Sequence, residues 1–221
     1  MDTKKYKLVK NELSNIEKDN VIYNWFRVKK NASIIQETQN DDSALKFIKK
    51  KYGKIQNPSN KILFDMANIL RNFQDYEGAI EIYSNLIQYS NYSAEEYADL
   101  LYKRGTSYER KKDFLKADED LIESLKIDPD EPYVLNYLGY SWLERSYKIP
   151  EAMDMLKEAY SLRENDPYIT DSIGWAYYLI EDFVNAKKYL EKAVKLMPYD
   201  PIVNDHYGDV LWRLNKKVQA R

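Results

Sequence analysis

The feature that most constrains this chain is a ladder of small residues at a near-constant interval. Of its six glycines, Gly105, Gly139, Gly174 and Gly208 stand 34, 35 and 34 residues apart. Ala67 and Ala32 continue the ladder upstream at intervals of 38 and 35. A second ladder of Ala44, Ala79, Ala117, Ala152, Ala186 and Ala220 follows the first by 12 residues each time, or 13 after Gly139. Two locked ladders imply one supersecondary unit used repeatedly. Around each small slot the apolar residues fall at helical spacing, as with Ile173, Gly174 and Tyr177, then Leu190, Ala193 and Val194 beyond Ala186. Each unit therefore reads as two antiparallel helices, A and B, crossing where a small residue of A faces the alanine of B. A larger side chain there would overpack the crossing at a cost of roughly 1–3 kcal/mol.

Punctuation agrees with that register. Pro132, Pro167 and Pro201 recur where each helix A should start, the helical position proline tolerates best. Asp166 and Asp200 precede two of them as N-caps, and Ser93-Ala-Glu-Glu96 reads as a capping box. No run alternates apolar and polar residues between turn signals, so no strand is expected.

The residues Leu138-Gly139, Ile173-Gly174-x-x-Tyr177, Ala186, Leu190, Ala193 and Pro198 resemble the tetratricopeptide repeat, whose period is 34. The resemblance runs from about residue 22 to the end and is weaker in the first two units, where alanine replaces glycine. It implies an all-α, right-handed α-solenoid of about five and a half antiparallel helix-pair repeats. The units expected are a basic lead-in over 1–24, then repeats over 25–59, 60–97, 98–131, 132–166, 167–200 and a partial one over 201–221, forming one continuous solenoid domain. A narrower likeness rests on Asn136-Tyr-Leu-Gly-Tyr-Ser-Trp142, Asp171-Ser-Ile-Gly-Trp-Ala-Tyr-Tyr178 and Asn204-Asp-His-Tyr-Gly-Asp-Val-Leu-Trp212. These resemble the C-terminal repeats of long bacterial envelope proteins, which serve as adaptors or scaffolds, in some cases for a processing protease. That likeness implies a periplasmic or outer-membrane-associated setting if the chain is a fragment, and a cytoplasmic one if Met1 is the true start. The last unit stops about one turn into its helix B, as a fragment would, or as a chain completed by a partner element would.

Composition narrows the chemistry. With no cysteine, disulfides, thiol nucleophiles and Cys-ligated metals are excluded. The net charge is −2, but residues 1–57 carry 13 Lys/Arg against 7 Asp/Glu and residues 58–221 carry 21 against 29. A basic start and an acidic body steer partners without specifying a fold. Neither nucleic-acid binding nor direct membrane insertion is expected. The longest apolar run, Ile173–Ile180, is far short of the ~20 residues a span needs, and Met1-Asp-Thr-Lys-Lys-Tyr-Lys lacks the apolar core of a signal peptide. Gly53-Lys54 is not a phosphate-binding loop, since no upstream glycine or following Ser/Thr accompanies it. The single histidine, His206, leaves no catalytic triad, and Asp205, His206 and Asp209 diverge on a helix, which reads them as a solvated face without a metal. The chain is expected to be no enzyme and to hold no cofactor. Arg104 occupies a slot that other units give to apolar residues. It reads as a structural arginine reaching Asp118 or Asp120, with ligand binding the alternative.

The expected function is therefore protein–protein interaction: a scaffold or adaptor holding a peptide or helix in a concave groove. Positions three before, one after and four after each small slot share one face of helix A. They give Tyr102, Thr106 and Glu109; Asn136, Tyr140 and Leu143; Asp171, Trp175 and Tyr178; and Asp205, Asp209 and Trp212. Aromatic anchors among acids suit a protein or peptide partner bearing basic and apolar groups. Trp175 is expected mid-groove between Tyr140 and Asp209. The alternative is a structural segment whose groove is filled by its own chain or a second copy, with the aromatics packing between neighbouring A helices; the oligomeric state stays open. The clamp that reads acidic chaperone tails needs Lys and Asn in one unit, whereas Lys29 goes with Ser33 and Asn68 with Phe64, so such tails are disfavoured.

Overall fold

The computed structural model of the chain describes residues 21–89 and 91–220. Among them the only regular elements are α-helices, and none is long and apolar enough to cross a membrane. The chain packs as two compact units, Met1–Ser90 and Asn91–Arg221. The first holds α1 (Val21–Thr38), α2 (Asp41–Tyr52), α3 (Asn60–Asn72) and α4 (Tyr76–Tyr89). The second holds α5 (Ala94–Arg110), α6 (Phe114–Ile127), α7 (Pro132–Glu144), α8 (Ile149–Leu162), α9 (Pro167–Leu179), α10 (Phe183–Leu196) and α11 (Pro201–Arg213). Helix α1 begins four residues inside the stretch drawn as a lead-in, whose residues 1–20 lie outside the described residues. Helix α5 begins at Ala94, ahead of the drawn start at 98, because Ser93 and Glu96 close a full capping box. Both bonds of the box are present: Ser93 Oγ accepts from the Glu96 amide at 3.2 Å, and the Ser93 amide donates to Glu96 at 2.9 Å.

Consecutive helices pair as A with B in both units, and within the second unit A helices also stack on A helices. The crossings explain the small ladder. A Cβ added at Gly139 would lie 2.9 Å from the Ala152 carbonyl oxygen, and one at Gly174 would lie 2.7 Å from Leu190 Cγ. At Gly208 the nearest atom, the Ala220 carbonyl oxygen, is 3.5 Å away. In the first unit Ala32, Ala44, Ala67 and Ala79 are all buried, so those crossings accommodate a methyl on both helices. Beyond α11, residues 214–220 form turns in which the Gln219 and Ala220 amides both donate to the Lys216 carbonyl.

The A–B connections repeat in detail. Gln74, Lys112, Ser146, Glu181 and Asn215 each adopt positive φ between 53° and 63°, and each lies seven residues after its small slot. At Lys112 the amide bonds to the Glu109 carbonyl and the next amide, of Asp113, bonds to Tyr108. The same pair of bonds recurs at the other four sites, closing helix A with a Schellman motif. The following residue then opens helix B: Asp75 accepts from the Gly78 amide and Asp182 from the Asn185 amide. Helix A starts as its punctuation predicts, with Asp166 capping the amides of Tyr168 and Ile169 ahead of Pro167, and Asp200 those of Ile202 and Val203 ahead of Pro201.

Candidate interaction surface

The face selected on the A helices of the second unit divides into three zones. In the first, on α5, the Tyr102 ring meets the Tyr137 ring edge-on at 6.1 Å. Tyr102 also lines a cleft of about 360 Å³ with Glu95, Asp99, Asp128, Glu131 and Tyr133. Thr106 is not on the surface: it is buried and its hydroxyl donates to the Lys103 carbonyl at 2.9 Å. Its slot looks outward by helical spacing along one helix, yet the packed chain encloses it. Glu109, exposed in part, accepts from Tyr137 Oη at 2.8 Å. Asn136 is half-buried and its Oδ1 is enclosed without a hydrogen-bond partner. Leu143 is buried in the core.

The central zone is occupied by its own side chains. Trp175 donates from Nε1 to Glu144 Oε1 at 3.0 Å. Its ring stacks on Tyr178 at 4.5 Å and on His206 at 4.0 Å. His206 Nδ1 lies 3.1 and 3.0 Å from the two carboxylate oxygens of Asp171, and both side chains are only 12% exposed. Glu144 and His206, neither of them on the expected face, are thus direct partners of Trp175, while Tyr140 lies beside the same Glu144. His206 is likewise not a solvated residue of an acidic face. Stacking brings residues about one repeat apart into contact, so position 206 faces 171 across the helix boundary instead of 205 and 209 along its own helix. Asp171 is buried too. Burial, with the Glu144 and Asp171 carboxylates nearby, pushes the Tyr140 hydroxyl up to about 12. Burial raises Tyr137 further, with the Glu109 carboxylate adding to it.

The third zone is open. Asp205 and Asp209 are exposed on α11, and Trp212, one turn on, is 49% exposed with Lys217 Nζ 5.0 Å from its ring. Among the selected residues these three present the most accessible aromatic–acid pattern.

Arg104 takes the structural role. Its Nε and Nη2 both bond to Asp120 at 2.7 Å, a bidentate pair in which Asp120 is buried. Arg145 does similar work between α6 and α7, bonding Asp118 at 2.7 Å and lying 4.6 Å from the Phe114 ring. The spacing along α7 alone does not reveal that role; the signal available is an Arg–Asp pair 27 residues apart. In the first unit Lys29 Nζ bonds Asp65 at 2.6 Å and Asn68 accepts from Tyr83 Oη at 2.8 Å. The two residue types of a tail-reading clamp are thus engaged elsewhere.

Comparison with known proteins returns the same architecture. Residues 98–131 and 172–200 match the tetratricopeptide repeat family model. A TPR repeat-containing protein of Pseudomonas aeruginosa is 33% identical over 111 residues, half of this chain and 19% of that protein. The human aspartyl/asparaginyl beta-hydroxylase is 27% identical over 191 residues, 78% of this chain and 24% of that enzyme. The chain thus spans about a fifth to a quarter of the length of the curated relatives it matches. Among solved structures, a thermophilic TPR protein of Thermus thermophilus superposes with a TM-score of 0.65 at 16% identity, covering 85% of this chain and 99% of that one. The first TPR of Spaghetti, bound to an HSP90 peptide, aligns with a TM-score of 0.51 at 17% identity over 55% of this chain and 95% of its own. Together with the glycine–alanine ladders and the helix pairs, these matches identify tetratricopeptide repeats over residues 98–131 and 172–200 and an all-α repeat solenoid as the fold.

Proposed function

We propose that this chain is an interaction scaffold that takes a peptide or helix bearing basic and apolar groups along the A-helix face of its second unit. The repeat fold is typically a non-catalytic scaffold, and the partial match to a hydroxylase covers about a quarter of that enzyme. The observation that carries the reading is the open zone of α11, where Asp205 and Asp209 flank the exposed Trp212. An exposed tryptophan rimmed by carboxylates suits an apolar anchor with a neighbouring Lys or Arg. At the other end the Tyr102 cleft offers Glu95, Asp128 and Glu131 around an aromatic wall, with Asp99 paired to Lys103 at 2.9 Å. The central zone contributes shape more than contact, since Trp175 and Asp171 are already satisfied internally.

A library of basic amphipathic peptides tests this by fluorescence anisotropy. Trp212→Ala should weaken the best binder by about 2 kcal/mol. The double variant Asp205→Asn, Asp209→Asn should mainly slow association and flatten its salt dependence. Binders indifferent to all three substitutions would move the site off this face. The structural alternative is favoured by one observation, the internal stacking of Trp175 between Tyr178 and His206; under it, no peptide competes for this face at all.

A further inference from the structure

Each repeat of the second unit has two edges besides its helix faces, one made by the A–B turns and one by the B–A loops. Both edges carry exposed apolar side chains in repeat register. On the B–A edge, Tyr133, Tyr168 and Ile202 occupy the second position of α7, α9 and α11, and Tyr168 and Ile202 are 64% and 63% exposed. Leu162 and Leu196, at the ends of α8 and α10, are exposed beside them. On the A–B edge, Leu115, Pro150, Val184 and Val218 each stand two residues before the alanine of the second ladder. Leu115 and Val184 are 73% and 76% exposed. Isolated exposed apolar residues need no explanation, but two rows in strict register along opposite edges do.

The edges also differ in charge. The A–B segments 109–116, 143–151, 178–185 and 212–220 hold 9 Lys/Arg against 6 Asp/Glu, a net of +3. The B–A segments 91–96, 126–133, 161–168 and 195–202 hold 3 against 8, a net of −5. The two rows share one spacing because they are built on the same repeats.

We infer that the two edges of the second unit are complementary halves of one contact, and that a second copy of this chain docks its A–B edge against the B–A edge of the first. A copy shifted sideways without rotation brings Leu115, Pro150 and Val184 beside Tyr133, Tyr168 and Ile202, repeat against repeat. In this register segment 109–116, at a net of +2, meets segment 126–133, at a net of −2, no pair of segments is of like sign, and the apolar rows leave water together. Such a contact is heterologous: each copy uses two different surfaces, so a pair retains one free edge of each kind and further copies add. The edges share Tyr133 and Trp212 with the surface proposed for peptides, but Val184 and Tyr168 belong to neither its α11 zone nor its Tyr102 cleft, so substitutions there test self-association separately from peptide binding.

The test uses the full 221-residue chain with two single variants, one per edge. Val184→Glu places an acid on the A–B edge, and Tyr168→Lys places a base on the B–A edge. Both positions are well exposed, so circular dichroism and the thermal midpoint should match wild type. Sedimentation velocity of the wild type at low salt should show mass rising with concentration toward about 1 mM, falling back as salt screens the edges. Each variant alone should stop at the monomer, or require at least about tenfold more protein to associate. Mixed one to one, they should form dimers and nothing larger, because each retains the edge the other lacks. A wild type that stays monomeric at low salt overturns the inference. So does a mixture that stays monomeric while both variants remain folded, or a variant that associates as the wild type does. Binding of the basic edge to anionic vesicles by a wild type that never self-associates would assign that edge to a lipid surface and equally overturn it.

Discussion

A single methyl group separates crossings of different tightness. Alanine is favoured over glycine within a helix by about 1 kcal/mol, so replacing these glycines should stabilise unless the crossing forbids it. At Gly139 it is forbidden: the new Cβ would meet a backbone carbonyl at 2.9 Å, which no rotamer can relieve. Gly139→Ala should therefore lower the unfolding free energy read from urea titration by a net of about 1 kcal/mol or more, while Gly208→Ala, with 3.5 Å of room, should hold or raise it by up to about 1 kcal/mol. The reverse order would show that helix closeness is not what the glycines serve. Trp175 tests the same scale from the other side. Its stacking on Tyr178 and His206 and its bond to Glu144 are internal, so Trp175→Ala should cost about 2 kcal/mol of stability. An unchanged melt would return it to the peptide-contact role expected from its helical position. That role follows from the spacing along one helix, which sets Trp175 next to the small slot on the face shared with Asp171 and Tyr178. What such spacing omits is the neighbouring A helix. The pairs Glu144–Trp175, Asp171–His206 and Tyr133–Asp166 are 31, 35 and 33 residues apart, and a search for complementary residues one repeat apart would have found them.

At the scale of the element, helix starts were legible and A-helix ends were not. Proline at the first helical position and aspartate before it are chemical signatures, and Asp166, Asp200 and Ser93 all cap as their types dictate. The A–B turn normally announces itself by glycine at the left-handed position. Here that position holds Gln74, Lys112, Ser146, Glu181 and Asn215, so composition offers no marker, although the seven-residue offset from the small ladder is constant. A non-glycine residue in that region costs roughly 1–2 kcal/mol, and glycine returns part of the gain through its freer unfolded chain. Lys112→Gly and Glu181→Gly should each raise the unfolding free energy by about 0.5 kcal/mol, whereas Lys112→Val should lower it. Equal midpoints for the glycine and valine variants would mean that these turns are not strained in solution.

For the molecule as a whole, the tyrosines of the A-helix layer tie stability to alkaline pH. An unfolded tyrosine loses its proton near pH ~10. In the folded chain burial, reinforced by Glu144 and Asp171, holds the Tyr140 proton up to about 12, and burial with Glu109 holds that of Tyr137 still more firmly. Below the unfolded value both states carry the proton and the contribution to stability is complete. As pH rises past about 10 the unfolded chain releases protons that the folded chain keeps, so the unfolded state is favoured and stability falls until the folded groups titrate. The urea midpoint should accordingly drop between about pH 9 and about pH 11.5. The drop should be shallower in the double variant Tyr137→Phe, Tyr140→Phe, whose rings still pack but have no proton to lose. The comparison is of slopes, so the cost of removing the Tyr137–Glu109 hydrogen bond, present at every pH, cancels. Equal slopes in the two proteins would place both hydroxyls in water and open the A-helix layer at this point. A shallower slope in the variant would establish a closed, carboxylate-lined layer between the Tyr102 cleft and the open α11 end.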